Sequence, residues 1–245
     1  MVDVYHLYHS GVAVETGNNF FIFDYYRDSS AGEERKLKNG VIEPDEIKEK
    51  GKNVYVFVSH SHGDHYNPVI FEWEHELPEI NYILSSDINL ITGNNRHSLA
   101  PDQELTVNNI EVKTFGSTDR GVSFLVREKG ITIFHAGDLN WWHWESFTTS
   151  ELKKEEKDYK REITKIKNHD INLAFVPVDP RLNEYYYLAG EYFINKVKPD
   201  YFFPIHFSSD YKVTDTFANR FDNPDARIMS IKNRKNAHFK LDIQG

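Results

Sequence analysis

Val56-Phe57-Val58-Ser59-His60-Ser61-His62-Gly63-Asp64-His65 packs three histidines and an aspartate into six positions, directly behind a run of β-branched and aromatic residues. Such a run reads as a buried strand. Ending it in imidazoles and a carboxylate is unfavourable unless those groups are fully hydrogen-bonded or share an ion. A lone histidine is usually just a hydrogen-bonding residue, and His6, His75, His97, His143, His169 and His238 are read that way. For the six-residue cluster a bound metal is the simplest account.

Other segments repeat the pattern of a strand ending in a polar loop. Residues 11 to 24 read as a hairpin around Thr16-Gly17-Asn18-Asn19 whose second strand stops at Asp24. A hairpin of residues 122–126 and 131–134 ends in His135-Ala136-Gly137-Asp138. Leu173 to Val176 runs into Pro177-Val178-Asp179-Pro180-Arg181, and Tyr201-Phe202-Phe203 leads to Pro204-Ile205-His206 after a helical spacing over 188–197. Between these lie a short helix opening at Pro44, a helix start at Asn67-Pro68, a short strand at 82–84 and a hairpin over 106–115. An exposed amphipathic helix spans 149–168, and two closing strands lie within 226–243.

These strand ends bring donors from distant parts of the chain to one place. His60 and His62, two apart in an extended segment, can grip one ion, while Asp64 and His65 turn beyond Gly63 toward a second. Asp138 can bridge ions roughly 3.5 to 4 Å apart, and His206 completes the second set. The chain has no cysteine, so every ligand is nitrogen or oxygen. The expected cofactor is one or two divalent ions, zinc first, with manganese or iron suited to the same donors.

Composition narrows the function. The 245 residues suffice for a large core and are read as one domain, 1–245. A net charge of -9 with no basic block argues against nucleic acid. No signal-like or membrane-spanning apolar run is present, which gives the expectation of a cytoplasmic protein without membrane contact. Nothing in the sequence sets an oligomeric state.

At these residues the chain resembles the metallo-beta-lactamase fold superfamily. His60-Ser61-His62-Gly63-Asp64-His65 matches its H-x-H-x-D-H signature in full, Gly137-Asp138 resembles the bridging-aspartate motif, and Pro204-Ile205-His206 the last ligand histidine. His9-Ser10-Gly11, Phe23-Asp24 and His135-Ala136-Gly137-Asp138 look most like the branch containing ascorbate-phosphate lactonase. The resemblance covers about residues 5 to 210. It implies an α/β architecture, the four-layer αββα sandwich of two mixed sheets with helices outside and the active site at one edge. One departure stands out: where the superfamily usually has a further histidine ligand, this chain reads Thr114-Phe115-Gly116-Ser117-Thr118-Asp119. Asp119 is the favoured substitute, with a turn-capping role as its alternative.

The expected function is therefore a hydrolase in which a metal-bound hydroxide attacks a small, anionic ester, lactone or phosphoester. Asp64 is both a ligand and a candidate proton acceptor, and His135 a second catalytic candidate. Asn140, Trp141 and Arg181 are candidates for substrate contact. Trp141, Trp142 and Trp144 form either a packing cluster or an aromatic wall over a pocket. Arg181 is a carboxylate or phosphate clamp if it points inward and a surface ion pair otherwise. The competing readings are a degenerate metal-binding module, which the missing histidine favours, and a diiron redox protein, which the expected lack of a flavin domain disfavours.

Overall fold

The computed structural model of the chain describes residues 1–89, 92–221, 225–235 and 237–243. Its strands fall into two mixed sheets. The first holds β14 (His238–Leu241), β1 (Val2–Tyr8), β2 (Gly11–Glu15), β3 (Asn19–Phe23), β4 (Asn53–Val58), β5 (Asn81–Ser85) and β6 (Arg96–Leu99), in that spatial order. The second runs β13 (Arg227–Ile228), β12 (Tyr201–Ile205), β11 (Leu173–Pro177), β10 (Ile131–His135), β9 (Ser123–Glu128), β8 (Ile110–Phe115), β7 (Glu104–Val107). Each sheet is antiparallel on one side and parallel on the other, the parallel parts being β3 to β6 and β10 to β13.

The alternation along β4 shows how the layers form. Tyr55 and Phe57 point between the sheets and join Phe21, Phe23, Phe124, Phe175 and Phe203 in the central core. Val54, Val56 and Val58 point the other way, into an outer core with Ile47 of α1 (Pro44–Glu49) and with Ile70 and Trp73. Both faces of the strand are covered, which explains its unbroken apolar run. The second sheet is covered by α2 (Thr149–Ile166), α3 (Leu188–Val197) and α4 (Lys212–Ala218), through Tyr159, Ile163, Phe193 and Phe217. The four layers are helix, sheet, sheet, helix, as the resemblance implies. None of the described helices is long and apolar enough to cross a membrane.

Thr148 and Glu151 close a reciprocal capping box at the start of α2. Asn67 caps the segment after the histidine loop, accepting from Val69 N, but Pro68–His75 is a 3-10 helix rather than the expected α-helix. The strand β1, the strand β6 and the helix α4 have no counterpart among the sequence expectations.

The parallel arrangement sends the C-terminal ends of β3, β4, β10, β11 and β12 to one edge of the sandwich. There the chain comes very close to itself. Gly121 has φ +68, and a Cβ on it would lie 1.9 Å from Ser59 O and 2.7 Å from His60 Cβ. Gly121→Ala must therefore displace the His60 loop, at a cost of about 2–4 kcal/mol. Differential scanning calorimetry should show Tm lowered by about 5–10 °C; an unchanged Tm would mean the approach is not tight.

Candidate metal centre

The polar residue after each of these strands faces its neighbours at the same edge. Asp24 follows β3, Ser59 and His60 follow β4, Asp138 follows β10, Asp179 follows β11 and His206 follows β12. His9, just after β1, joins them. His9, Asp24 and His206 have positive φ (57, 46 and 66), a conformation that costs a non-glycine residue about 1 kcal/mol or more and that turns each side chain inward. His206 N donates to His9 O at 3.0 Å, tying the two sheets together at the site.

Two groups of donor atoms result: His60, His62, Asp119 and Asp138, and His9, Asp64, His65 and His206. Asp138 faces both. Its Oδ2 lies 3.4 Å from His60 Nε2, and its Oδ1 lies 3.0 Å from His65 Nε2 and 3.2 Å from His206 Nε2. Asp119 Oδ2 is 3.4 Å from His62 Nδ1, so the loop that lacks the usual histidine still brings a carboxylate to the first group.

The hydrogen-bond network assigns the histidine tautomers. Asp24 is fully buried. It accepts from Ser59 N (2.7 Å), Ser59 Oγ (2.7 Å) and His65 Nδ1 (2.7 Å). Because the Ser59 hydroxyl proton is committed to Asp24, Ser59 Oγ must accept from His60 Nδ1, 2.9 Å away. His206 Nδ1 donates to Asp179 at 3.0 Å. Thus His60, His65 and His206 each hold a proton on Nδ1 and turn Nε2 into the site, the arrangement in which an imidazole ligates. His60 Nε2 meets His62 Nδ1 at 3.0 Å. His65 Nε2, His206 Nε2 and Asp138 Oδ1 are buried without a hydrogen-bond partner. Lone pairs converging in this way call for a cation, and the donor set suits a divalent ion.

His9 is different. Its Nδ1 accepts the backbone N–H of Ser208 at 3.1 Å, so its proton sits on Nε2. That N–H faces Asp64 Oδ2 at 3.5 Å, too long for a well-made hydrogen bond. His9 lies among ligand atoms yet is a donor, with no lone pair to give a metal. Sequence reasoning noted it only within the family-like surroundings; its signal was a histidine directly after a strand.

Charge follows the same geometry. Burial opposes ionisation of Asp138, yet His206 and His65 hold its carboxyl well below the ordinary range. Burial likewise disfavours a charged His65, but Asp138 and Asp24 prevail and raise it to about 10. Asp64 is lowered mainly by its interaction with His9, which suits a ligand and makes it a weak general base.

The structure places the remaining residues named from the sequence as follows. His135 is fully buried, donates Nε2–H to Ser10 O at 2.9 Å and accepts Gly137 N–H on Nδ1 at 3.2 Å. Both nitrogens are used, so it has none free for catalysis and serves as a strut behind Asp24. Trp141 packs on Tyr159 and Tyr192 beneath Lys160, and neither it nor the buried Asn140 lines the cavity beside the ligands. Arg181 does line that cavity, but its Nε and Nη2 are engaged by Asp179 at 2.6–3.0 Å, so its clamp is already filled from within. The cavity measures about 350 Å³ and is walled by Trp142, Trp144 and Phe147.

Three outcomes follow from these hydrogen-bond partners and charges. Asp24→Asn frees His65 and, through Ser59, His60; calorimetric titration with zinc should show affinity lowered about 10–100-fold with the fold retained by circular dichroism. His9→Asn, which tolerates the left-handed backbone, should keep full metal stoichiometry, whereas His206→Asn should lose it. Ligation needs Nε2 of His65 and His206 free of a proton, whereas Asp138 beside them favours their charged forms when no ion is bound, so metal uptake at pH 7 should release protons, measurable as a dependence of binding enthalpy on buffer.

No protein-family model and no curated protein matches the sequence. Among solved structures the chain is similar to Igni18, a metallo hydrolase of the hyperthermophilic archaeon Ignicoccus hospitalis: 13% identity, 98% of this chain and 99% of that one, TM-score 0.65. It is similar to YhfI, a metallo-beta-lactamase fold protein of Bacillus subtilis: 11% identity, 94% and 96%, TM-score 0.57. It also overlays on CmlA, a diiron β-hydroxylase of Streptomyces venezuelae, with 10% identity, 99% of this chain and 54% of that one, TM-score 0.58. The chain has the metallo-beta-lactamase fold.

Proposed function

We propose that residues 1–245 form one domain acting as a cytoplasmic, metal-dependent hydrolase of a small ester, lactone or phosphoester, in the manner of the lactonase-like branch noted above, with zinc as the first choice of ion. The observation that carries this reading is Asp138, whose two oxygens face two separate histidine groups across distances of 3.0–3.4 Å. His60, His62, Asp119 and Asp138 would hold one ion, and Asp64, His65, Asp138 and His206 the other. Divalent ions bound there would supply an activated water near neutral pH and polarise the scissile group.

The chain's own residues have distinct tasks in this reading. Asp24, Ser59 and Asp179 hold protons on the outward nitrogens of His65, His60 and His206, so that the inward nitrogens stay basic. The Nε2–H of His9 points at Asp64 and keeps that carboxylate ionised. Trp142, Trp144 and Phe147 narrow the approach and displace water from the reacting face. Arg181 gives Nε and Nη2 to Asp179 and so steadies His206, which weakens the sequence argument for an anionic substrate without using its Nη1.

Metal analysis of the purified protein followed by a screen of lactones and phosphodiesters tests the proposal. Two ions per chain with metal-dependent turnover are expected; His62→Ala abolishes turnover, and Asp119→Ala loses one ion and lowers kcat about 100-fold. Iron with a diiron absorption band, or no bound metal at all, would overturn it.

A further inference from the structure

The helix α2 carries a charged residue where its buried stripe calls for an apolar one. Tyr159, Ile163 and Ile166 on that stripe are fully buried in the outer core, and Glu155, one turn before Tyr159, falls in line with them. Glu155 lines the same cavity as the ligand residues. Its Oε2 is buried with no hydrogen-bond partner, and it makes no ion pair among the described residues. Burial lifts its carboxyl above the ordinary value, against the pull of Lys154.

The other charged groups facing this cavity are accounted for. Asp64, Asp119 and Asp138 belong to the ligand groups, and Arg181 is bonded twice over to Asp179. Glu155 is left as one uncompensated carboxylate lining the same cavity as three aromatic side chains, Trp142, Trp144 and Phe147. The rings of Trp142 and Trp144 stand parallel, 5° apart in tilt with centroids 5.7 Å apart, and the Arg181 guanidinium already lies 5.6 Å from the centre of the Trp144 ring, so this wall accommodates a cation on part of its surface. Aromatic faces attract organic cations, and a carboxylate in a partly desolvated cavity seeks an N–H donor of positive charge. A neutral O–H or N–H donor would satisfy Oε2 but leave its charge unbalanced, and an anionic group would do neither.

We propose that Glu155, Trp142, Trp144 and Phe147 form a subsite for an organic ammonium group. The substrate is then a small ester, lactone or phosphoester with an amine at the end remote from the scissile bond, its N–H on Glu155 Oε2 and its carbon chain against the tryptophans. For its place in a substrate this rests on the hydrolase reading; as a binding site it stands without it.

The test is a binding measurement on the zinc-loaded protein, read as quenching of tryptophan emission at pH 7, with 2-phenylethylammonium and its neutral counterpart 2-phenylethanol as probes. The ammonium should bind about tenfold more tightly than the alcohol. Glu155→Gln should erase that preference while leaving affinity for the alcohol and the zinc content unchanged. Trp144→Leu should weaken both probes. Equal affinity of the two probes for the unaltered protein, or a preference that survives Glu155→Gln, would overturn the subsite. Ammonium binding in a protein that hydrolyses nothing would count against the proposed activity and leave the subsite standing; hydrolysis without the preference would do the reverse.

Discussion

A carboxylate with no solvent access holds this structure's chemistry in place. Asp24 sits at the end of β3 with its charge balanced only by three donated protons, one from a backbone amide, one from the Ser59 hydroxyl and one from His65. Removing an ion of this kind from water is unfavourable by several kcal/mol, so it persists only while all three donors stay aligned. That alignment is what directs the free nitrogens of His60 and His65 to a common point. Asp179 does the same for His206, with Arg181 completing its coordination. The site is thus built from outside inward: buried carboxylates orient imidazoles, and the imidazoles define where a cation sits.

The backbone cooperates through the direction of its strands. Parallel neighbours end on the same side, so β3, β4, β10, β11 and β12 all release their next residue at one edge of the sandwich. Left-handed turns at His9, Asp24 and His206, and the glycines Gly121 and Gly137, let five chain segments approach closely enough for their side chains to meet. Strain concentrated in such turns is tolerated because the sheets behind them, filled with interlocking phenylalanines, leave the segments little freedom to move.

Much of this was legible along the chain. The apolar run before His60, the hairpin ending at Asp24, the strands leading to Asp138, Asp179 and His206, and the Asn67-Pro68 helix start all carry local signals that survive folding. Legibility failed in three kinds of place. β6, whose four residues include one apolar side chain, Leu99, is a strand because β5 pairs with it. The segment after Pro68 tightens to a 3-10 helix because Ile70 and Trp73 pack three apart into the outer core, a spacing set by the sheet rather than by propensity. The placements of His135 and Trp141 were not legible because proximity in sequence to Asp138 says nothing about which way a side chain turns.

By itself the sequence determined which residues could ligate an ion and which strands would carry them, since both depend on residue type and on a period of two or 3.6 that neighbouring residues set. It also marked Asp119 as the carboxylate standing near the expected third histidine. Only the tertiary structure decided the protonation pattern: that His9 is a donor and His60, His65 and His206 are acceptors toward the centre. It alone showed Asp138 divided between two groups, Arg181 committed to Asp179, and Glu155 left unpaired beside the tryptophans. A proton's place on an imidazole is settled by the partner at its far nitrogen, and for His65 and His9 those partners, Asp24 and Ser208, stand 41 and 199 positions away, where no local pattern reaches.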